Sequence, residues 1–238
     1  TVGPTRTAGY VSVRSVTTAA VMTAAASSMR KPTSGDRLPI LLLIVFAAIW
    51  IALAIAPSYR QDWLLENLPV AVALPILIAS YRRLRFSNAA YVGIFTMMAL
   101  HEVGAHYTYS EVPYDDWCIR LLGFSPDQLL GFTRNHYDRA IHLVYGFAIT
   151  PAAVELFAAR APPQRIWRWI LPVSFVVSHS VVYELIEWGA AVVFGGDLGI
   201  AYLGAQGDPW DAQKDMLLAA VGSVVAALMF AGRGRKAV

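Results

Sequence analysis

The chain has 238 residues, of which 57% are hydrophobic and 15% are charged. That leaves too little polar surface to cover a soluble globule of this size, so an ordinary soluble domain is excluded. We predict an all-α fold, a polytopic transmembrane helical bundle of about six helices. The formal net charge is +3 and the single cysteine, Cys118, rules out an internal disulfide. We expect the lipid bilayer as a partner and no nucleic acid, and the sequence does not indicate an oligomeric state.

Residues 1–36 are rich in Thr, Ser, Ala and Val and contain no acidic residue before Asp36. This composition predicts a disordered N-terminal segment. We interpret it as an untemplated extension, with the natural start at Met22 or Met29, although a transit peptide has a similar composition. The apolar run that follows is too long for a signal peptide.

Residues 37–238 are predicted to form the transmembrane domain. The run from Leu38 to Pro57 contains no charge, and about 20 residues at about 1.5 Å each cross a hydrocarbon core of about 30 Å. An interfacial or re-entrant segment is expected at about 109–134, where a short amphipathic stretch lies in the longest connection. The other five helices are predicted at Trp63–Tyr81, Ser87–Tyr107, His136–Ala159, Trp169–Phe194 and Asp211–Ala231.

The basic residues are concentrated in alternate segments. Of the 19 lysines and arginines, most lie before the first helix, after the second and fourth helices and at the C-terminus. The positive-inside rule therefore predicts that both termini and the even-numbered loops are cytoplasmic.

Polar motifs occur where four predicted helices meet at the other, outer side. Counting at about 1.5 Å per residue, His101, His142, Glu187 and Asp215 all fall within about 5 to 12 Å of that boundary. They can therefore share one pocket. The motifs are HEVGAHYTY at 101–109, NHYDRAIH at 135–142, YELIEW at 183–188 and GDPWDAQKD at 207–215.

Spacing within each motif supports a common site. Asp138 and His142 are four residues apart, and Glu184 and Glu187 are three apart, so each pair projects from one helix face. Buried carboxylates in a membrane need counterions, water or protons. A divalent cation (Zn, Mn or Fe) would meet that need, because His and Asp are its usual protein ligands. The candidate ligands are His101, His106, His136, Asp138, His142, Asp211 and Asp215.

Catalytic roles are assigned to the remaining members. Glu184 or Glu187 is the candidate general base, and Arg139 is the candidate group for holding an anion. Several features also have simpler explanations. The histidines near the boundary are compatible with interfacial hydrogen bonding, Asp211 with a helix cap, and Gly222 with Ala219 and Ala226 with a helix-packing face.

The four motifs, extended to HEVGAHYTYSEVPYDDW and GDPWDAQKDML, resemble those of the YjdF-type bacterial inner-membrane proteins over about residues 38–232. The resemblance implies a multi-pass protein of the bacterial inner membrane and supplies no reaction. A more distant likeness is to VanZ-like proteins, which are linked to glycopeptide resistance. It rests on Asp138, Arg139, His142, Glu184 or Glu187, Asp215 and Gly222. The arginine that VanZ-like proteins carry before the last helix is absent here.

The function expected from these residues is a metal-dependent hydrolase that acts on a lipid-linked or envelope substrate. A proton- or ion-coupled transporter is the first alternative, in which buried carboxylates titrate and no metal is fixed. A non-catalytic membrane scaffold, held together by the same polar network, is the second.

Overall fold

The computed structural model describes residues 36–196, 199 and 203–230. The predicted disordered segment, apart from Asp36, and the C-terminal basic residues lie outside the described residues. Within the described ranges the secondary structure is helical and contains no strand. The predicted all-α class is confirmed.

Six long helices occupy the predicted places, with ends that differ from the expected ones by a few residues. Two short helices, α4 (Tyr114–Leu122) and α5 (Pro126–Leu130), lie in the longest connection. The long helices are α1 (Arg37–Leu53), α2 (Arg60–Ser80), α3 (Asn88–Tyr107), α6 (Tyr137–Arg160), α7 (Trp167–Phe194) and α8 (Asp211–Phe230).

The number of membrane spans differs from the expected six. Among the described helices, four are long and apolar enough to cross a membrane: α2, α6, α7 and α8. Helix α1 has only 17 residues, about 25 Å at 1.5 Å per residue, because the chain turns at Ala54 and adopts a positive φ at Ala56 before Pro57. Helix α3 is long enough, but His101, Glu102 and His106 make its last two turns polar.

Helices α6 and α8 pack through glycines. A Cβ on Gly222 would collide with the backbone oxygen of Leu143, and one on Gly146 would collide with the backbone oxygen of Ala219. The small-residue face predicted around Gly222 is thus confirmed, and Ala219 and Ala226 are fully buried in it. This close approach brings the N-terminal turns of α6 and α8 together. At this end of the bundle α3 and α7 finish and α2, α6 and α8 begin. We call it the polar end.

The connection between α3 and α6 has its own hydrogen bonds. Ser125 accepts a bond from the Gln128 N–H, and Tyr114 donates to Asp127 over 2.5 Å. Burial is the largest cause that raises the pKa of Tyr114 to about 12, followed by its bond to Asp127. Leu121 and Leu129 are among the most exposed apolar side chains of the protein. The predicted interfacial location of this segment stays a prediction.

Candidate metal centre

Three side chains at the polar end converge from two helices. Asp138 and His142 lie one turn apart on α6, and Asp215 lies in the second turn of α8. One ligand atom from each lies within 4.8 Å of the other two. All three residues are buried, with 8%, 6% and 2% of their surface exposed. The arrangement has the residue types and the proximity that a divalent cation requires.

Helix α7 adds Glu184 and Ser180 to this group. The Glu184 Oε1 atom lies 3.2 Å from His142 Nε2, and Asp138 Oδ1 lies 3.6 Å from the same nitrogen. On the other side of the ring, Ser180 Oγ is 3.3 Å from His142 Nδ1. The imidazole therefore presents Nε2 to the carboxylates and Nδ1 to a hydroxyl.

Three carboxylate oxygens in the group have no hydrogen-bond partner. They are Asp138 Oδ1, Glu184 Oε1 and Asp215 Oδ1, and each is shielded from solvent. A buried carboxylate oxygen that accepts no hydrogen bond is costly unless a cation or a proton compensates it. Glu187 is also buried and interacts electrostatically with all three residues. The cluster thus has an excess of negative groups.

The nearby basic residues are paired with other acids. Arg139 contacts Asp208 at 2.5 Å and Asp211 at 2.9 Å, and Arg134 also contacts Asp211 at 2.9 Å. A hydrogen bond from Lys214 is the largest cause that lowers the pKa of Asp208, and the Trp210 N–H adds to it. Asp211, a predicted metal ligand, is thus engaged by two guanidinium groups. Its role as a ligand and the anion-holding role of Arg139 stay predictions.

The other three predicted histidines have different contacts. His101 uses both ring nitrogens, one at the Tyr109 hydroxyl and one at the main-chain oxygen of Glu66. His106 Nδ1 contacts the main-chain oxygen of Leu53 at 2.8 Å. His136 precedes α6; burial, then Arg139 and Arg134, lowers its pKa. Among the described residues, no group of neighbouring ligand atoms includes any of the three, and their metal role stays a prediction.

Three acids of α2 and α3, which were not among the predicted site residues, are also buried. Glu66 is buried and accepts a hydrogen bond from the Tyr183 hydroxyl over 2.6 Å. Asp62 and Glu102 are 1% and 0% exposed; neither carboxylate oxygen of Asp62 has a hydrogen-bond partner, whereas Glu102 interacts with the Asn67 side chain. The four-residue spacing of Asp62 and Glu66, which places both on one face of α2, was the available signal.

A cleft of about 380 Å³ lies beside the cluster, against α7 and α8. Its acidic lining includes Asp138, Glu184, Glu187 and Asp215. Its apolar lining comprises Val181, Leu185, Trp188, Leu203 and Met216. The cleft is therefore lined by both acidic and apolar side chains.

Two comparisons with known proteins match most of the chain. Residues 38–236 match a family model described as "Predicted membrane protein (DUF2238)". The chain is 32% identical over 190 residues to "Inner membrane protein YjdF" of Escherichia coli (strain K12), which covers 79% of this chain and 86% of the relative. No solved structure matches significantly. The distant likeness to VanZ-like proteins stays a prediction.

Proposed function

We propose that this chain, which belongs to the DUF2238 membrane-protein family as its YjdF-type motifs indicated, is a metal-dependent hydrolase of a lipid-linked substrate. Asp138, His142 and Asp215 bind a divalent cation such as zinc, manganese or iron. The observation that carries the proposal is the set of three buried oxygens, from Asp138, Glu184 and Asp215, that have no hydrogen-bond partner, two of which lie within 3.6 Å of His142 Nε2.

Each residue has a chemical role in this proposal. A divalent metal supplies Lewis acidity, which lowers the pKa of a bound water. Glu184 takes a proton from the attacking water and returns it to the leaving group as the ester bond breaks. Arg139, whose buried Nε–H has no hydrogen-bond partner, holds an anionic group of the substrate.

The cleft supports an amphiphilic substrate. Its acidic lining includes Asp138, Glu184 and Asp215 of the cluster, while Leu185 and Trp188 are 58% and 62% exposed on a helix apolar enough to span the membrane. Exposed apolar side chains on such a helix contact lipid chains. A lipid-linked molecule can therefore enter from the bilayer with its polar group on the cluster.

The similarity to an inner-membrane protein and the four apolar helices support a multi-pass location in the inner membrane. We further propose that both termini are cytoplasmic and that the polar end faces outward. The basic residues after α2 and α6, at the opposite end, support this orientation.

A proton-coupled carrier is the second candidate. The observation in its favour is that Asp62, which is not in the metal cluster, is 1% exposed and that neither of its carboxylate oxygens has a hydrogen-bond partner. Buried acids of this kind occur in proton pathways of membrane transporters.

Metal analysis of the purified full-length protein separates these functions. The hydrolase proposal predicts one zinc, manganese or iron ion per chain, lost in His142→Ala and retained in His179→Ala. His179 is the matched control because it is exposed and its hydrogen bond and ring contact are both with Phe175 on the same helix. Metal-free, folded wild-type protein would contradict the proposal. In that case Glu187→Ala separates the two alternatives. The variant should lose proton-coupled transport if the protein is a carrier, and cells that carry it should keep the wild-type phenotype if the protein is a scaffold.

The hydrolytic step has its own test. The protein is incubated with a total lipid extract of bacterial inner membranes in heavy-oxygen water. Wild-type protein should incorporate heavy oxygen into a lipid product, whereas Glu184→Gln should bind metal and incorporate none. Equal incorporation by both proteins would remove Glu184 from its role as base.

A further inference from the structure

Four side chains next to the cluster connect α2, α7 and the C-terminal end of α3. The Tyr183 hydroxyl on α7 donates a hydrogen bond of 2.6 Å to Glu66 Oε2 on α2. His101 on α3 contacts the main-chain oxygen of the same Glu66 at 2.9 Å and, with its other nitrogen, the Tyr109 hydroxyl. Glu66 is 2% exposed, so water does not compete with these contacts.

This network reaches the metal centre through Tyr183. The Tyr183 ring stands edge-on to the His142 ring, with centroids 6.0 Å apart and planes at 67°. Tyr183 also directly precedes Glu184 on α7. A Tyr183 side chain that is held by Glu66 therefore restricts the orientation of the His142 imidazole.

The backbone at the end of α3 is strained where it supports this network. Thr108 and Tyr109 both have positive φ values, 54° and 51°, which cost free energy in residues other than glycine. The turn lays the Tyr109 ring over Gly104, where an added Cβ would come within 2.7 Å of the ring. The hydroxyl thereby reaches His101, the residue that braces Glu66 from the α3 side.

We infer that Glu66 and Tyr183 are positioning residues that orient His142 for metal binding from outside the ligand set. This inference rests on the proposed metal centre. A ligating imidazole binds metal well only when its ring is fixed, and loss of outer partners lowers metal affinity by about 10- to 100-fold. Glu66 acts here as a hydrogen-bond acceptor, so its oxygen matters and its negative charge does not.

The test is a titration of full-length protein in detergent micelles with cobalt(II) alone, followed by the cobalt absorption spectrum. Tyr183→Phe and Glu66→Ala should each weaken cobalt binding by about 10- to 100-fold and change the spectrum. Glu66→Gln keeps an acceptor oxygen and should restore both. In the double variant Tyr183→Phe/Glu66→Ala the two losses should not add, because both substitutions remove the same hydrogen bond, between Tyr183 and Glu66.

Tyr145→Phe is the matched control. It also removes a phenol that bonds between helices, to the Val176 oxygen, and it should bind cobalt like wild type. Wild-type affinity and spectrum in Tyr183→Phe would overturn the inference and leave the metal centre standing. Failure of Glu66→Gln to restore binding would also overturn it, because charge would then be the cause. Wild-type protein that binds no cobalt would overturn the metal centre and this inference together.

Discussion

The packing of α6 against α8 sets the distance between the two halves of the metal centre, and glycine substitution tests it. A Cβ on Gly222 would lie 2.9 Å from Phe147 N and closer still to the Leu143 oxygen. Both are backbone atoms, which cannot rotate away, so the helices must separate. Overpacking typically costs about 1 to 3 kcal/mol, and we expect about 3 kcal/mol here because backbone meets backbone. Gly222→Ala should therefore lower Tm by about 6 to 12 °C.

The same displacement should weaken metal binding. Separation of α6 and α8 moves Asp215 away from Asp138 and His142, whose ligand atoms lie within 4.8 Å of one another. Thermal unfolding and zinc titration in detergent measure the two effects. Gly189→Ala on α7 is the control: its Cβ meets no atom within 4 Å, so it should leave Tm unchanged or raise it through helix propensity. A Gly222→Ala variant with wild-type Tm would refute this packing argument.

Three further results are expected. Asp208, whose pKa is held below the ordinary 3.8 mainly by Lys214, stabilises the fold above about pH 4, and this contribution is lost as the pH falls through the folded pKa. Asp208→Asn should therefore lower Tm at neutral pH and lessen its fall in acid; an unchanged pH profile of Tm would count against it. Cys118, the only cysteine, should react with a membrane-impermeant maleimide added outside intact spheroplasts, and labelling only after lysis would reverse the proposed orientation. Asp62→Leu should raise Tm, because it removes a buried carboxylate that has no hydrogen-bond partner, and a lower Tm would mean that Asp62 has a partner or bound cation.

The six long helices could be predicted from the sequence because long apolar runs and their polar boundaries are local features. The union of Asp138, His142 and Asp215 could also be expected, since a four-residue spacing puts two of them on one helix face and depth puts the third beside them. The number of membrane spans could not be predicted from the sequence. Helix α1 ends at Leu53, although the sequence that follows it is still apolar.

Contacts between helices limited the assignment of the individual ligands. His101 and His106 are five residues apart, which places them about 140° apart around the axis of α3, and each contacts a main-chain oxygen of a different helix or turn. Asp211 shares a helix face with Asp215, yet Arg134 and Arg139 reach only the former. Such choices depend on side chains distant in sequence, and so does the Glu66 contact with Tyr183.

X-ray absorption of the zinc-loaded protein examines the ligand set itself. We expect three or more nitrogen or oxygen neighbours at about 2.0 to 2.2 Å, with the outer-ring scattering of the imidazole absent from His142→Ala and one neighbour fewer in Asp215→Ala. A spectrum dominated by water oxygens, or one that both variants leave unchanged, would mean that Asp138, His142 and Asp215 do not bind the metal.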